Sequence, residues 1–179
     1  MKLALFRRAH REDTIAALYG AIVTQARSAA FYRACGVPDT VDGRLEMLLL
    51  HTFLFYRRVR AGSEGVRPLG QDVFDRFCND MDGNLREMGI GDLAVPRHMR
   101  RIGEAFYGRA AAYEAALAAG DEQALAEALM RNVFSGLAIH SEDARRLATY
   151  AMKVDAELAR QQDAGLSAGQ INFPDPETL

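Results

Sequence analysis

Between Leu45 and Tyr56 the chain places apolar side chains almost all the way round a helical wheel, with only Glu46, His51 and Thr52 interrupting them. A helix of that kind is stable in water only if neighbours cover it on several sides. The segment from Asp42 to Arg60 is therefore expected to be a central helix, with the rest of the chain built round it. Amphipathic periodicity supplies the covering elements. Ile15, Leu18, Ile22, Ala26 and Ala29 mark a helix from Asp13 to Cys35, with Gly36 as its stop. After a loop from Ala61 to Gly70, Phe74, Phe77, Met81, Leu85 and Met88 mark a third helix over 71–88. Met99, Ile102, Phe106, Ala110, Tyr113 and Leu117 mark a fourth over 96–119, opened by Pro96. Leu125, Leu129 and Val133 define a fifth that ends near Gly136. Leu147, Ala151, Val154 and Leu158 define a sixth over 141–164, with Ser141 as its expected cap. No stretch alternates with period two between hairpin turns. The expected fold class is all-α: a single-domain bundle of about six helices with a mobile C-terminal tail. Its divisions are an N-terminal arm over 1–12, a helical domain over 13–164 and an extended tail over 165–179.

Composition matters mainly for what it excludes. At 179 residues, 49% hydrophobic and 26% charged, the chain can bury a core without disulfides or metals. Cys35 and Cys78 stand 43 residues apart in apolar surroundings, which reads as two buried, reduced thiols. A net charge of −2 gives no support to generic nucleic-acid or DNA binding. The start of the chain lacks the apolar core of a signal peptide, and no run approaches a membrane span of ~20 residues. A cytoplasmic protein, with contact to the inner membrane face, is expected.

Signs of catalysis are thin. There is no Glu-x-x-His pair of the di-iron bundle type, since Glu46 and His51 lie five apart. Ser135 and Ser141 lack a nucleophile elbow. Gly89-Ile-Gly91 follows no strand, so it is a turn rather than a phosphate loop. His51 reads as a hydrogen-bonded core histidine. Neither an enzyme nor a resident cofactor or metal is expected.

Two polar features stand out. One runs from Asp80 through Asp82, Arg86 and Glu87 to Asp92. It is either a local ion network steadying the turn or a recognition surface. The other comprises two basic clusters, Arg57-Arg58-Arg60 and Arg97-His98-Met-Arg100-Arg101. The first ends a helix, where positive charge complements the macrodipole; the second opens one, where it opposes it and needs another reason. Of the 22 basic residues only Lys2 and Lys153 are lysine, and arginine suits phosphate and headgroup contacts. Asp80, Asp82, Arg86, Glu87, Asp92, Arg97, Arg100 and Arg101 are the candidate partner-binding residues.

Here a resemblance enters. The run Cys35-Gly-Val-Pro-Asp-Thr-Val-Asp-Gly-Arg44, continuing through Leu45-Glu-Met-Leu-Leu-Leu-His51, resembles a signature of the ubiquinol-cytochrome c chaperone family. So does Leu85-Arg-Glu-Met-Gly-Ile-Gly-Asp-Leu93, followed by Met99 and Ala105-Phe-Tyr-Gly-Arg109. The resemblance spans about Ser28 to Ala164, and it is to bacterial-type members. It implies an assembly factor for the cytochrome bc1 complex that holds newly made cytochrome b, as mitochondrial relatives do with a small partner at the ribosomal tunnel exit. A physical route would be an exposed, methionine-lined apolar groove around the second to fourth helices, shielding an apolar segment. The arginine clusters would face ribosomal RNA or the anionic membrane surface. The alternative is a haem- or lipid-binding carrier using His51 or His98.

Overall fold

The computed structural model describes residues 2–178, with side chains described for residues 9–177. Among the described residues there is no strand. The six long helices are α1 (Lys2–Ala26), α3 (Val41–Arg60), α4 (Arg67–Glu87), α5 (Val95–Ala119), α6 (Glu122–Val133) and α7 (Ser141–Arg160). The short α2 (Ala29–Ala34) and α8 (Asp163–Ser167) complete the helical set, with single 3₁₀ turns at Ala138–His140 and Pro176–Thr178. No helix among the described residues is long and apolar enough to cross a membrane.

Helix α3 occupies the centre that its sequence requires. It packs against α1, α4, α5, α6 and α7. Met47, Leu49, Leu50, Leu54 and Phe55 are all but sealed from solvent. Its start explains the first motif. Thr40 caps the helix, its hydroxyl oxygen accepting from the Gly43 amide at 3.1 Å. Any Cβ at Gly43 would stand 2.0 Å from the Pro38 carbonyl oxygen, so the tight entry demands glycine.

His51 is wholly buried in α3 and is satisfied on both ring nitrogens. The Met47 carbonyl, 2.7 Å away, can only accept, so Nδ1 carries the proton. Nε2 then accepts from the Tyr150 hydroxyl of α7 at 2.8 Å. That hydroxyl accepts from Gln25 of α1 at 2.8 Å, and Gln25 also donates to the Pro174 carbonyl at 2.9 Å. Phe31, Tyr150 and Phe173 surround the imidazole with ring centroids 5.4–5.6 Å away. Burial holds the imidazole pKa down to about 4, against the pull of the Met47 carbonyl. This is the core histidine expected from the sequence.

Several boundaries differ from expectation, each for a local reason. The first helix begins at Lys2 rather than Asp13 and breaks at Arg27–Ser28. Ser28 is extended, and the break swings Phe31 into the core, edge-on to Tyr150 at 4.8 Å. Pro68, expected in a loop, sits in the first turn of α4, where its missing N–H is harmless. Ser141 is the first residue of α7 and makes no cap bond. Glu142 and Asp143 supply the favourable charge there instead. The tail expected to be extended over 165–179 holds the end of α8 and a 3₁₀ turn, and 170–175, without regular structure, lies against the body. Gln161 brackets Asn172 with two hydrogen bonds of 2.6 and 3.0 Å, and Leu166, Ile171 and Pro174 are buried.

The basic cluster Arg57-Arg58-Arg60 does more than answer its own helix dipole. Arg58 donates to the Leu158 and Gln161 carbonyls at 2.8 and 2.6 Å, capping the end of α7, and also to Asp163 at 2.6 Å. Arg57 pairs with Asp155 at 2.8 Å and with Glu114, joining α3 to α7 and α5. The Asp163 pKa falls to about 2, chiefly because it accepts the Ser63 backbone N–H, then through the Ser63 hydroxyl and Arg58.

The state of His51 fixes a pH dependence. An unfolded histidine titrates near 6.5, whereas this one resists protonation down to about 4. Between those values the unfolded chain takes up a proton that the folded one refuses, so stability falls as pH drops from 6.5 to 4, by roughly 3 kcal/mol. Urea unfolding across that range is expected to show the loss, and His51→Ala is expected to flatten this component. At neutral pH the same variant is expected to cost about 3–4 kcal/mol, through a cavity and a Tyr150 hydroxyl proton left without its acceptor. An unchanged pH slope in the variant would contradict the assignment.

Candidate functional site

The apolar stripes of α4 and α5 are longer than the core they cover. On α4, Leu69, Val73 and Phe77 are buried, Met81 and Leu85 are half-buried, and Met88 is 63% exposed. On α5, Phe106, Tyr113 and Leu117 are buried in the core while Met99 and Ile102, nearer the start, are only half-covered, and Val95 is buried at the turn without joining the core. The two helices therefore leave the bundle at their shared end as a hairpin. A groove of about 380 Å³ opens where they diverge from α1 and α3. Val23 and Ala26 form the α1 wall, Leu45 and Leu48 the floor on α3, Met81, Leu85 and Met88 the α4 wall, and Ile102 closes the α5 side. The rim is polar: Arg27 and Arg44 on one side, Asn84 and Glu87 on the other. Arg44 is held by Asp39 at 2.8 Å.

The hairpin turn explains the second motif. The Ile90 amide bonds the Leu85 carbonyl at 3.1 Å and the Gly89 amide bonds the Arg86 carbonyl at 2.9 Å, a Schellman closure. Gly89 has φ +83°, the left-handed value this closure needs. The Gly91 carbonyl then accepts from Ala94 and Val95 at 2.8 and 3.3 Å, starting α5.

The eight candidate residues divide by role. Arg86 joins Asp82 at 2.7 Å and Asp92 across the turn, which is the local ion network weighed from the sequence. Asp80 faces inward and accepts from the Tyr19 hydroxyl at 2.9 Å, tying α4 to α1. Burial, aided by Asp80, pushes the Tyr19 pKa well above the ordinary tyrosine range. Glu87 stands on the groove rim. Arg97, Arg100 and Arg101 are exposed on the first turns of α5. The structure thus brings Asp82, Arg86 and Asp92 together, and leaves the three α5 arginines apart from them.

Sequence reasoning missed one polar pair that shapes the site. Glu46 and Arg109 lie in the two motif runs and form a bidentate ion pair, with Nε to Oε2 at 2.6 Å. Burial raises the Glu46 pKa, and the Arg109 guanidinium opposes that rise. The pair sits in a second cavity of about 520 Å³ on the other side of Leu45 and Ile102, lined also by Arg101, Asn132 and Ser135. The available signal was a lone carboxylate in an otherwise apolar helix, which needs a partner. His51 has no free ring nitrogen for haem iron. Cys35 is buried and Cys78 half-buried, both free, and burial pushes both thiols up. No cluster of three or more metal-ligating side chains occurs among the described residues.

Removing Arg109 tests the pair. Arg109→Ala strands a buried carboxylate and is expected to cost about 3 kcal/mol at pH 7 by urea unfolding. The deficit is expected to shrink as pH falls and Glu46 becomes neutral, and Glu46→Gln in the same background is expected to recover part of it at pH 7. A deficit constant with pH would show that packing, not charge, is lost.

The family model described as ubiquinol-cytochrome C chaperone matches residues 33–173, a range holding both motifs and the groove's α3, α4 and α5 walls. Ubiquinol-cytochrome-c reductase complex assembly factor 1 of Xenopus laevis is 25% identical over 105 residues, 59% of this chain and 52% of that protein. The chain thus spans about half the length of the curated relative it matches. The crystal structure of the Cbp3 homolog from Brucella abortus superposes with a TM-score of 0.89 at 41% identity, covering 100% of this chain and 99% of that one.

Proposed function

The chain belongs to the ubiquinol-cytochrome c chaperone family, and from that premise we propose that it is a non-enzymatic assembly factor for the bc1 complex, holding newly made cytochrome b. The observation that carries the proposal is the groove between α1, α3, α4 and α5, with Met81 and Met88 on its wall. Cytochrome b is a polytopic membrane protein, and its apolar segments are aggregation hazards until they are inserted. A helix laid in an apolar groove is shielded by burial alone, without sequence-specific polar contacts. Methionine side chains adapt to differently shaped clients, which suits a surface that must release what it holds. The Xenopus laevis relative carries complex assembly in its name, in line with this role.

The polar groups fit a binding protein rather than a catalyst. In the cavity beside Arg60, Arg57 and Arg58 are paired with Glu114, Asp155 and Asp163, and in the cavity beside Arg101, Arg109 is paired with Glu46. The mechanism needs no cofactor. In this scheme the network of Asp82, Arg86 and Asp92 stiffens the hairpin that forms one groove wall, and Glu87 and Arg27 guide a client across the rim. The ribosome near its tunnel exit is where such a client would first be met.

Charge placed in the groove tests the proposal. Met88→Asp and Leu85→Asp lie on half-open surface and are expected to leave the helical circular dichroism and melting midpoint nearly unchanged. Cytochrome b recovered with the tagged protein from membranes is expected to fall at least about tenfold, a loss of ~1.4 kcal/mol in binding. Assembled bc1 complex in a strain carrying either variant is expected to fall with it. Full recovery of cytochrome b with both variants would remove the groove from the mechanism, and unimpaired bc1 assembly on deletion of the chain would remove the function.

A further inference from the structure

The outer face of α5 takes no part in the groove, yet its charges are segregated. Arg97, Arg100 and Arg101 project from the first two turns on one side of the helix, a location where the helix macrodipole repels cations. Arg97 and Arg101 make no ion pair among the described residues, and Arg100 meets Glu104 only at 3.8 Å with both side chains largely in solvent. Asp42 and Glu46 share a cavity with Arg101 but form no ion pair with it, and the acids of the hairpin are occupied. Asp82 and Asp92 hold Arg86, and Asp80 holds Tyr19. Two large apolar side chains flank this basic face: Leu93, 99% exposed at the hairpin tip, and Tyr107, 66% exposed two turns beyond Arg100.

We propose that this face docks the protein on an anionic lipid bilayer. The planar guanidinium forks of Arg97, Arg100 and Arg101 match headgroup phosphates. Leu93 enters the boundary between headgroups and acyl chains, and Tyr107 takes the interfacial position that amphipathic aromatic rings favour. The overall charge of −2 does not oppose this, because acids beyond a Debye length of ~10 Å are screened from the surface. Nucleic acid carries the same phosphates and could stack a base on Tyr107, but it gives the fully exposed Leu93 no role. A bilayer uses both halves of the patch. The docking does not depend on the identity of the client; it places the mouth of the groove, on the same hairpin, beside the membrane.

Co-sedimentation of the full chain with extruded vesicles tests this directly. Binding is expected to equimolar phosphatidylcholine and phosphatidylglycerol vesicles and not to phosphatidylcholine alone, and to weaken as salt is raised. Each arginine near the surface strengthens binding about fivefold, so the triple variant Arg97→Gln, Arg100→Gln, Arg101→Gln is expected to lose on the order of 100-fold. Leu93→Asn is expected to lose several-fold. The control pair Arg145→Gln, Arg160→Gln on α7 is expected to bind as the parent does. All these side chains are exposed, so matching melting curves are expected to exclude misfolding. Absence of vesicle binding at low salt would overturn the proposal, as would equal losses in the control pair. Tighter binding to ribosomal RNA than to vesicles, indifferent to Leu93→Asn, would overturn it in favour of a nucleic-acid surface.

Discussion

One relay of hydrogen bonds ties together parts of the chain that no sequence neighbourhood joins. It runs from the Met47 carbonyl through His51 and Tyr150 to Gln25 and the Pro174 carbonyl, crossing α3, α7, α1 and the C-terminal segment. Because α3 is buried on every side, a polar group within it must be satisfied internally, at a cost of roughly 1–3 kcal/mol if it is not. His51 meets that demand by fixing one ring tautomer, and the tautomer in turn dictates which helix supplies a donor. The position of α7 against α3, and the path of the tail across both, follow from that choice. Thr52, the next residue, has the one buried side-chain oxygen without a hydrogen-bond partner among the described residues.

With the centre fixed, the groove results from a mismatch of lengths. Helices α4 and α5 hold 21 and 25 residues, and, apart from Val95 covered locally at the turn, their core contacts crowd toward the ends remote from it. Their remaining apolar stripe has nothing among the described residues to cover it. An exposed apolar surface is costly to keep in solution and is retained where it has an occupant. The ion network of Arg86 and the Schellman closure at Gly89 secure the turn, so the two helices project as a unit instead of fraying.

Most of the architecture was legible because hydrophobic periodicity records which face of a helix is buried. The six long helices, the central place of α3 and the core role of His51 follow from that pattern. What periodicity cannot record is how far along a helix the burial extends. Phe77 and Met88 belong to the same stripe, and only the fold separates a core residue from a groove wall. Break points were also hidden. The kink at Arg27–Ser28 arises from the packing of Phe31 against distant Tyr150, and the early start of α4 from the tolerance of a first turn for Pro68. Among the charged groups, the local sequence accounts for Arg57 and Arg58 only as answering their own helix terminus. The structure gives them distant partners in Asp155, Glu114 and Asp163, because charge pairing across elements leaves no local spacing rule. The Glu46–Arg109 pair, 63 residues apart, is hidden for the same reason.

The one-sided anchoring of α5 has a mechanical consequence. Its far half is clamped by Phe106, Tyr113, Ala116 and Leu117 and by the Arg109–Glu46 pair, while its first turns overhang the groove as a cantilever. From Phe106 to Val95 the overhang is roughly 16 Å at 1.5 Å per residue, so a tilt of about 5° at the clamp moves the tip by about 1.5 Å. That displacement is comparable to the difference in girth between a helix of alanines and one of leucines. A small elastic deflection at the fixed end therefore sets the gauge of the opening, and the core itself need not repack to admit cargo of different bulk.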